Sequence, residues 1–561
     1  MPEKRVDVYE ELVRLLLDRW EGVRSSDVDR RQQSIGERLE LPLLSAEDLR
    51  PVLHQLAFAA HQQEVDGRGV LSGALLRDTL DAFFRARLNP TDPRAVPREE
   101  VVRRSDRFIH ILREETGLVL EEADETYVLP HLTFEEYLAA CHLAGQEDPD
   151  LIYQQWAAGG DRWREVALLL MGRLARQEKR SLAFSWLQLL VSPRQGLDAT
   201  KPALQRQRDA LLAAACYAEL GRRGAFVGSA HDVLDFEEQL RAALVELLEQ
   251  PDPSVPLTQR LEAGTALGLL GDPRYPVEDA QWQAEPGRLS QTFGRPKGYF
   301  CYVPGGRYRI GGWEEKTGRA TRAGVELALQ PFWIARFPVT VAQYAAFVAE
   351  GYRPGAERWW APEGWERVIN LRGRTAPSYW EQDGYHGPNQ PVVGVSWHEA
   401  TAYCAWLSER LKTRLPPGHV IRLPTEAEWE TAASFDGSAE RRPYPWGREA
   451  PTPERAIYAA AGTGAPAPVG CCPAGAAACG ALDMAGNVWE VCANEYNAYP
   501  AGAHEAQKDF TDGRAPWRGG SWYDNETSVR CGARVRYRLD FWYVINIGFR
   551  VVLASSLAQM S

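Results

Sequence analysis

At 561 residues, with charged residues at 25% and hydrophobic ones at 45%, the chain has the proportions of a soluble globular protein and is too long for one ordinary core. A net charge of −12 argues against a wide phosphate-binding surface, so nucleic acid is not an expected partner. No run approaches the roughly 18 apolar residues of a membrane span. The opening MPEKRVDVYEELVRLLLDRW is amphipathic and charge-rich, unlike a signal peptide, which makes the cytoplasm the expected location.

In chain order, the first half is rich in Leu, Ala, Arg and Glu at helical spacing. Val8, Leu12, Leu15, Leu16 and Trp20 form the expected apolar face of the first helix. Prolines near Asn89 to Pro97 punctuate later helices, and Thr126 to Pro130 leads into a further one over Leu129 to Ala144. There Thr133 and Glu136 have the spacing of a capping box. Arg260 to Arg274, RLEAGTALGLLGDPR, is an Ala/Leu-rich helix closed by Gly-Asp-Pro, as in a HEAT repeat; a plain helical spacer is the other reading. Polar residues and two prolines between Gln281 and Pro296 interrupt the helical pattern, and beyond Gly298 the chain turns rich in Gly, Pro, Trp and Tyr. The expected divisions are therefore 1–149, 150–285 and 297–555.

In the second half, Ala400, Tyr403, Cys404 and Leu407 recur at i, i+3, i+4, i+7 behind ValSerTrp at 395–397, which predicts a helix lying against a sheet. Thr425 and Glu428 predict a capped helix start. The paired glycines Gly305, Gly306, Gly519 and Gly520 read as turns. Nine cysteines, Cys141, Cys216, Cys301, Cys404, Cys471, Cys472, Cys479, Cys492 and Cys531, are scattered without paired CxxC spacing and read as small buried thiols.

Three resemblances run along the chain. HLTFEEYLAA, His131 to Ala140, resembles the signature that follows the winged-helix region of NACHT-type signalling NTPases, and the preceding 120 or so residues look like that winged helix. No GxxxxGK[ST] phosphate loop accompanies it, so the backbone cradle and lysine for ATP phosphates are missing from this sequence. Six ordered segments resemble the formylglycine-generating-enzyme (sulfatase-modifying factor) family: FCYVPGGRYRIGG from Phe300, PFWIARFPVTVAQYAAFV from Pro331, PVVGVSWHEATAYCAWLS from Pro391, IRLPTEAEWETAA from Ile421, DMAGNVWEV from Asp483, and WRGGSW from Trp517 followed by INIGFRVV. The third is of RGGSW…VRCGARxRY…IGFR, Arg518 to Arg550, to the variable region of proteins diversified by retroelements. Together they imply a multidomain α then α+β chain: a winged-helix-like and helical half, then a C-type-lectin-like fold with a variable region over 518–550.

The enzymes of the second family hold copper with two cysteines just after Gly-Gly-Ser. Here Asp524 stands in the first position and the second has no counterpart, since the only thiol of the segment is Cys531. Lacking that pair and the phosphate loop, the chain is expected not to be an enzyme and to require no cofactor. The same resemblance places a calcium ion beside Asp483, Gly486, Val488 and Glu490, hard oxygen donors of the kind calcium takes; acidic residues on a turn are also commonly just solvated.

The resemblance to diversified proteins implies framework residues Gly519, Gly520, Ser521, Trp522, Arg530, Gly548, Phe549 and Arg550 around variable ones: Tyr523, Asp524, Asn525, Thr527, Ser528, Val535, Tyr537, Phe541, Tyr543, Val544, Ile545 and Asn546. All twelve are reachable from AAC codons by changing adenines, whereas Glu526 and Trp542 are not. Tyr with Asn, Ser, Thr and Asp is also good paratope chemistry. Against this, Phe541–Ile547 could be an ordinary core strand, and Arg534, Arg536 and Arg538 a solvated or salt-bridged strand face. The expected function is non-catalytic binding of a protein or peptide ligand by this surface. The alternatives are the sensor part of a NACHT-type NTPase system and, third, a formylglycine-generating oxidase.

Overall fold

The computed structural model describes residues 2–21, 34–65, 67–115, 117–123, 125–192, 194–195, 199–221, 230–314, 318–321, 323–438, 440–496, 513–541 and 544–556. The chain forms two compact units that meet at Leu240/Arg241.

In the first unit, helices Pro2–Glu21, Ala46–Gln62, Gly73–Leu88 and Arg98–His110 accompany a small antiparallel sheet in which Thr126–Val128 lies between Leu71–Ser72 and Leu120–Ala123. Two sequence expectations are corrected here. On the first helix, Val8, Leu12 and Leu15 are exposed, and the buried apolar residues are Val6 and Val13. The inward stripe is Val6–Glu10–Val13, because Glu10 accepts hydrogen bonds from Arg50, Tyr137 and Arg173, so two ion pairs and a tyrosine bond turn the helix away from its more apolar side. Leu16 and Trp20 have side chains outside the described set. The helix Leu132–Gln146 starts two residues earlier than the capping-box spacing implies, with His131 as N-cap and no side-chain cap. Thr133 therefore sits inside the helix. Neighbouring Glu135 is buried as the acceptor of His61 Nδ1 at 2.8 Å and Arg162 Nη2 at 3.2 Å.

The second unit contains eight strands that form two four-stranded sheets: β1 Phe300–Val303, β2 Phe332–Ala335, β3 His419–Arg422, β4 Trp489–Val491, β5 Arg514–Arg518, β6 Arg534–Arg538, β7 Ile547–Gly548 and β8 Val552–Ser555. One sheet runs β3–β8–β2–β1, all antiparallel; the other runs β6–β5–β4–β7, with β4 and β7 parallel. The helix Trp397–Leu411 buries Ala400, Tyr403, Cys404 and Leu407 as its spacing predicts. The helix Glu426–Ser434 opens on the predicted capping box, with Thr425 Oγ1 accepting from the Glu428 N–H and the Glu428 carboxylate accepting from the Thr425 N–H.

This unit reaches further back than the change in composition. Arg260 donates to the carbonyls of Cys471 and Val255 at 2.8 and 2.9 Å, Arg274 to that of Val469 at 2.9 Å, and Gln343 Nε2 to that of Pro276 at 3.1 Å. The HEAT-like helix, Leu257–Leu270, is thus bonded into the sheet domain: its Gly268 lies so close to Asn389 that a Cβ would come within 2.4 Å of Oδ1.

Candidate binding surface

The segment 518–550 leaves the second sheet at β5, returns as β6, and closes through β7. Gly519 and Gly520 have φ of +97° and +72°, and a Cβ on Gly520 would meet the Ser528 carbonyl at 2.7 Å, so glycine is required where the loop turns back on itself. Trp522 follows as an anchor, 8% exposed, its N–H donating to the Asn487 carbonyl at 3.0 Å.

The predicted variable residues fall into three groups. Tyr523, 71% exposed, and Asn525 and Thr527, also exposed, stand clear of the fold; Thr527 donates through N–H and Oγ1 to Asn525 Oδ1 at 3.0 and 2.6 Å, closing a local turn. Ser528, Val535, Tyr537, Phe541, Val544 and Ile545 are half-buried. Val535 and Tyr537 face the core from the edge strand β6, opposite Trp517 and Ala515, and the Tyr537 and Phe541 rings stack at 4.6 Å. Asp524 and Asn546 are tied into the scaffold. Asp524 Oδ2 accepts from Trp489 Nε1 at 2.8 Å and from Ser521 Oγ, while Asn546 Nδ2 donates to Ser521 Oγ at 2.9 Å and its carbonyl accepts the Trp489 N–H at 2.9 Å. Tyr543 and Trp542 lie outside the described residues.

These bonds join the 521–528 loop to the 544–546 segment. Of Phe541–Ile547, only Ile547 is in a strand, and it is also the buried residue among those described. On the other face of β6, Arg534 pairs with Glu426 through two bonds of 2.8 and 2.7 Å, and Arg536 and Arg538 are exposed. The scaffold roles of Trp489, Asp524 and Asn546 carry no local sequence signal, since they depend on partners 25 to 57 residues apart.

Of the four residues aligned with a calcium site, the two carboxylates already have protein partners. Glu490 is fully buried, and its carboxylate accepts from Trp429 Nε1 and from Arg550 Nε and Nη2, each at 2.6 Å, so its charge is already matched. Gly486 and Val488 are buried in the turn that carries Asp483 and Asn487 at positive φ. Asp483 accepts the Gly470 N–H at 2.7 Å, and burial pushes its carboxyl up to about 6. Among the described residues no cluster of three or more His, Cys, Asp or Glu could hold a metal. Nor do the residues fit a two-thiolate copper centre: Asp524 is bonded to Trp489 and Ser521, and Cys531 is wholly buried, with desolvation raising its thiol.

Because the folded Asp483 binds its proton more tightly than an ordinary Asp, it withdraws stability as pH rises from about 4 to 6. Asp483→Asn should therefore gain stability relative to wild type, by on the order of 3 kcal/mol, between pH 4 and pH 7.5. Urea melts of both proteins at the two pH values check this; an unchanged difference contradicts it.

Residues 288–555 match the sulfatase-modifying factor enzyme 1-like domain, and residues 5–143 match the winged helix-turn-helix domain C-terminal to NACHT. Among curated proteins, the hercynine oxygenase of Mycolicibacterium thermoresistibile is 42% identical over 182 residues, 30% of this chain and 37% of that protein. The formylglycine-generating enzyme of Thermomonospora curvata is 34% identical, covering 35% of this chain and 71% of its own. The inactive C-alpha-formylglycine-generating enzyme 2 of Bos taurus is 31% identical, covering 42% and 81%. The chain spans less than half the length of the hercynine oxygenases it matches. Among solved structures, Treponema denticola variable protein 1 is 20% identical and covers 45% of this chain and 94% of its own at a TM-score of 0.33. The expectation that the chain is not an enzyme is overturned by relatives named as enzymes at up to 42% identity. A missing cysteine pair and phosphate loop speak to two chemistries, and the relatives' names include another.

Proposed function

Because this chain belongs to the formylglycine-generating-enzyme, or sulfatase-modifying-factor, family, we propose that its C-terminal unit is a ligand-binding domain that uses Tyr523 to Asn546 as its binding surface. The observation that carries the reading is the division of labour within 518–550. Gly519, Gly520, Ser521, Trp522, Gly548, Phe549 and Arg550 are buried, while all eleven described variable positions are exposed or half-buried and nine of them bear no side-chain hydrogen bond outside their own turn, although Val535, Tyr537, Phe541 and Val544 rest one side on the core. Rigid aromatic rings at Tyr523, Tyr537 and Phe541 beside small polar groups suit recognition of a protein or peptide surface. Diversification by a retroelement is the reading that gives such a division a purpose. The winged-helix match over 5–143 supports a place for the chain beside a NACHT-type NTPase, with the binding surface as its sensor. A second reading, favoured by the hercynine oxygenases, is that the ligand held there is also chemically transformed.

The test is tolerance. Replacing Tyr523, Asn525, Thr527 and Ile545 together by serine should cost no more than about 0.5 kcal/mol per site, whereas Trp522→Ala should cost several times that, read from urea unfolding. A quadruple variant that melts like a core mutant would contradict the proposal.

A further inference from the structure

We infer that the C-terminal unit holds a second ligand site, a cationic cavity suited to an organic phosphate, whose walls include no residue of the 518–550 segment. The cavity is 610 Å³, within the range of small-molecule sites, and is walled by the lead-in segment around Pro273 to Arg288, by Pro296 to Tyr299 and by Arg336.

Four cations line it, Arg274, Arg288, Lys297 and Arg336, against one carboxylate, Glu285. That carboxylate is committed. Glu285 is 4% exposed, accepts the Tyr299 N–H at 2.7 Å through Oε2, and accepts from Arg288 at 3.3 Å through Oε1. Arg274 is matched by buried Asp272 and stiffens the wall. Three groups are left for a ligand. Arg336 gives Nη1 to Glu249 at 2.8 Å, but its Nε is buried without a hydrogen-bond partner among the described residues, a donor whose desolvation none of them offsets. Arg288 is 61% exposed, and Lys297 is exposed with no ion pair among the described residues.

In a chain of net charge −12, such a concentration of cations around a concave site attracts anions against the average field. The ammonium of Lys297 and the remaining donors of Arg288 and Arg336, each of which gives one Nη1 to a carboxylate, match the several oxygens of a phosphate ester or diphosphate better than a single carboxylate, which one arginine would satisfy. Pro273, Ala280, Ala284 and Pro296 of the remaining wall provide apolar surface for an organic body. Since the walls come from both the lead-in segment and the β1–β2 region, a ligand would tie the two together and raise the stability of the unit.

The experiment is calorimetric titration and thermal melting of the full chain with ADP, with inorganic pyrophosphate, and with adenosine as the uncharged control, at matched ionic strength. ADP and pyrophosphate are expected to bind saturably and raise Tm, and adenosine to do neither. The Lys297→Glu protein, altered only at an exposed side chain with no ion pair among the described residues, should melt like wild type without ligand and bind ADP at least about tenfold more weakly. Absence of saturable binding in wild type overturns the proposal whatever the variant does. So does equal affinity in wild type and variant, equal binding of adenosine, or binding of pyrophosphate without ADP.

Discussion

Replacing Arg550 with alanine is expected to lower the unfolding free energy of the C-terminal unit by about 3–5 kcal/mol, the usual cost of leaving a buried charge without its partner. Arg550 is wholly buried, and its guanidinium donates to both oxygens of Glu490 at 2.6 Å and to the carbonyls of Ala335 and Leu482 at 2.9 Å. It therefore joins β4, the end of β2 and the 482–490 turn. Truncation strands the Glu490 carboxylate with Trp429 as its remaining side-chain donor and frees two buried carbonyls. Arg550→Met combined with Glu490→Met, which removes both charges and keeps volume, should cost less than Arg550→Ala alone. Urea midpoints of the three proteins check this, and a loss below about 1 kcal/mol for Arg550→Ala would contradict it.

Trp517→Ala is expected to cost a similar amount, about 3–5 kcal/mol, through the cavity it leaves. Trp517 is fully buried on β5, paired with Val491 and Val535, and its ring meets Tyr537 edge-on at 6.0 Å. Its removal takes away the support of the Tyr537–Phe541 stack, so faster amide exchange over 535–541 should accompany the loss of stability. Trp517→Phe is the informative partner. The buried Trp517 indole N–H has no hydrogen-bond partner among the described residues, so phenylalanine deletes an unsatisfied donor along with some volume and should cost well under half of the alanine change. Equal losses in the two variants would show that the indole nitrogen is satisfied in solution.

Local signals in the sequence were reliable where local contacts decide the outcome. Thr425 and Glu428 cap their helix, and Ala400, Tyr403, Cys404 and Leu407 bury their stripe, because both patterns involve residues within two turns of each other. They failed where a distant partner intervenes. The first helix buries Val6 and Val13 because Glu10 meets Arg50, Tyr137 and Arg173, the last 163 residues away. His131 opens its helix in place of Thr133, beside a Glu135 claimed by His61, 74 residues earlier.

The same holds at the binding surface. The turn glycines of the proposed surface are legible in 518–550, but the fixing of Asp524 and Asn546 depends on Trp489 and Ser521 and emerges only in three dimensions. The cationic cavity assembles residues from 273 to 336 with no motif among them. Family membership was legible from six ordered motifs, whereas the absence of two motifs was no guide to whether relatives catalyse.

The central claim, a binding surface at Tyr523–Asn546 set in a fixed framework, is tested most directly by deep sequencing the last hundred or so bases of the gene across a population of cells. The account predicts substitutions concentrated at the codons of the twelve variable positions from Tyr523 to Asn546, with Trp522 and Gly548 unchanged. A uniform sequence, or changes spread equally over framework and variable codons, would contradict diversification of this surface.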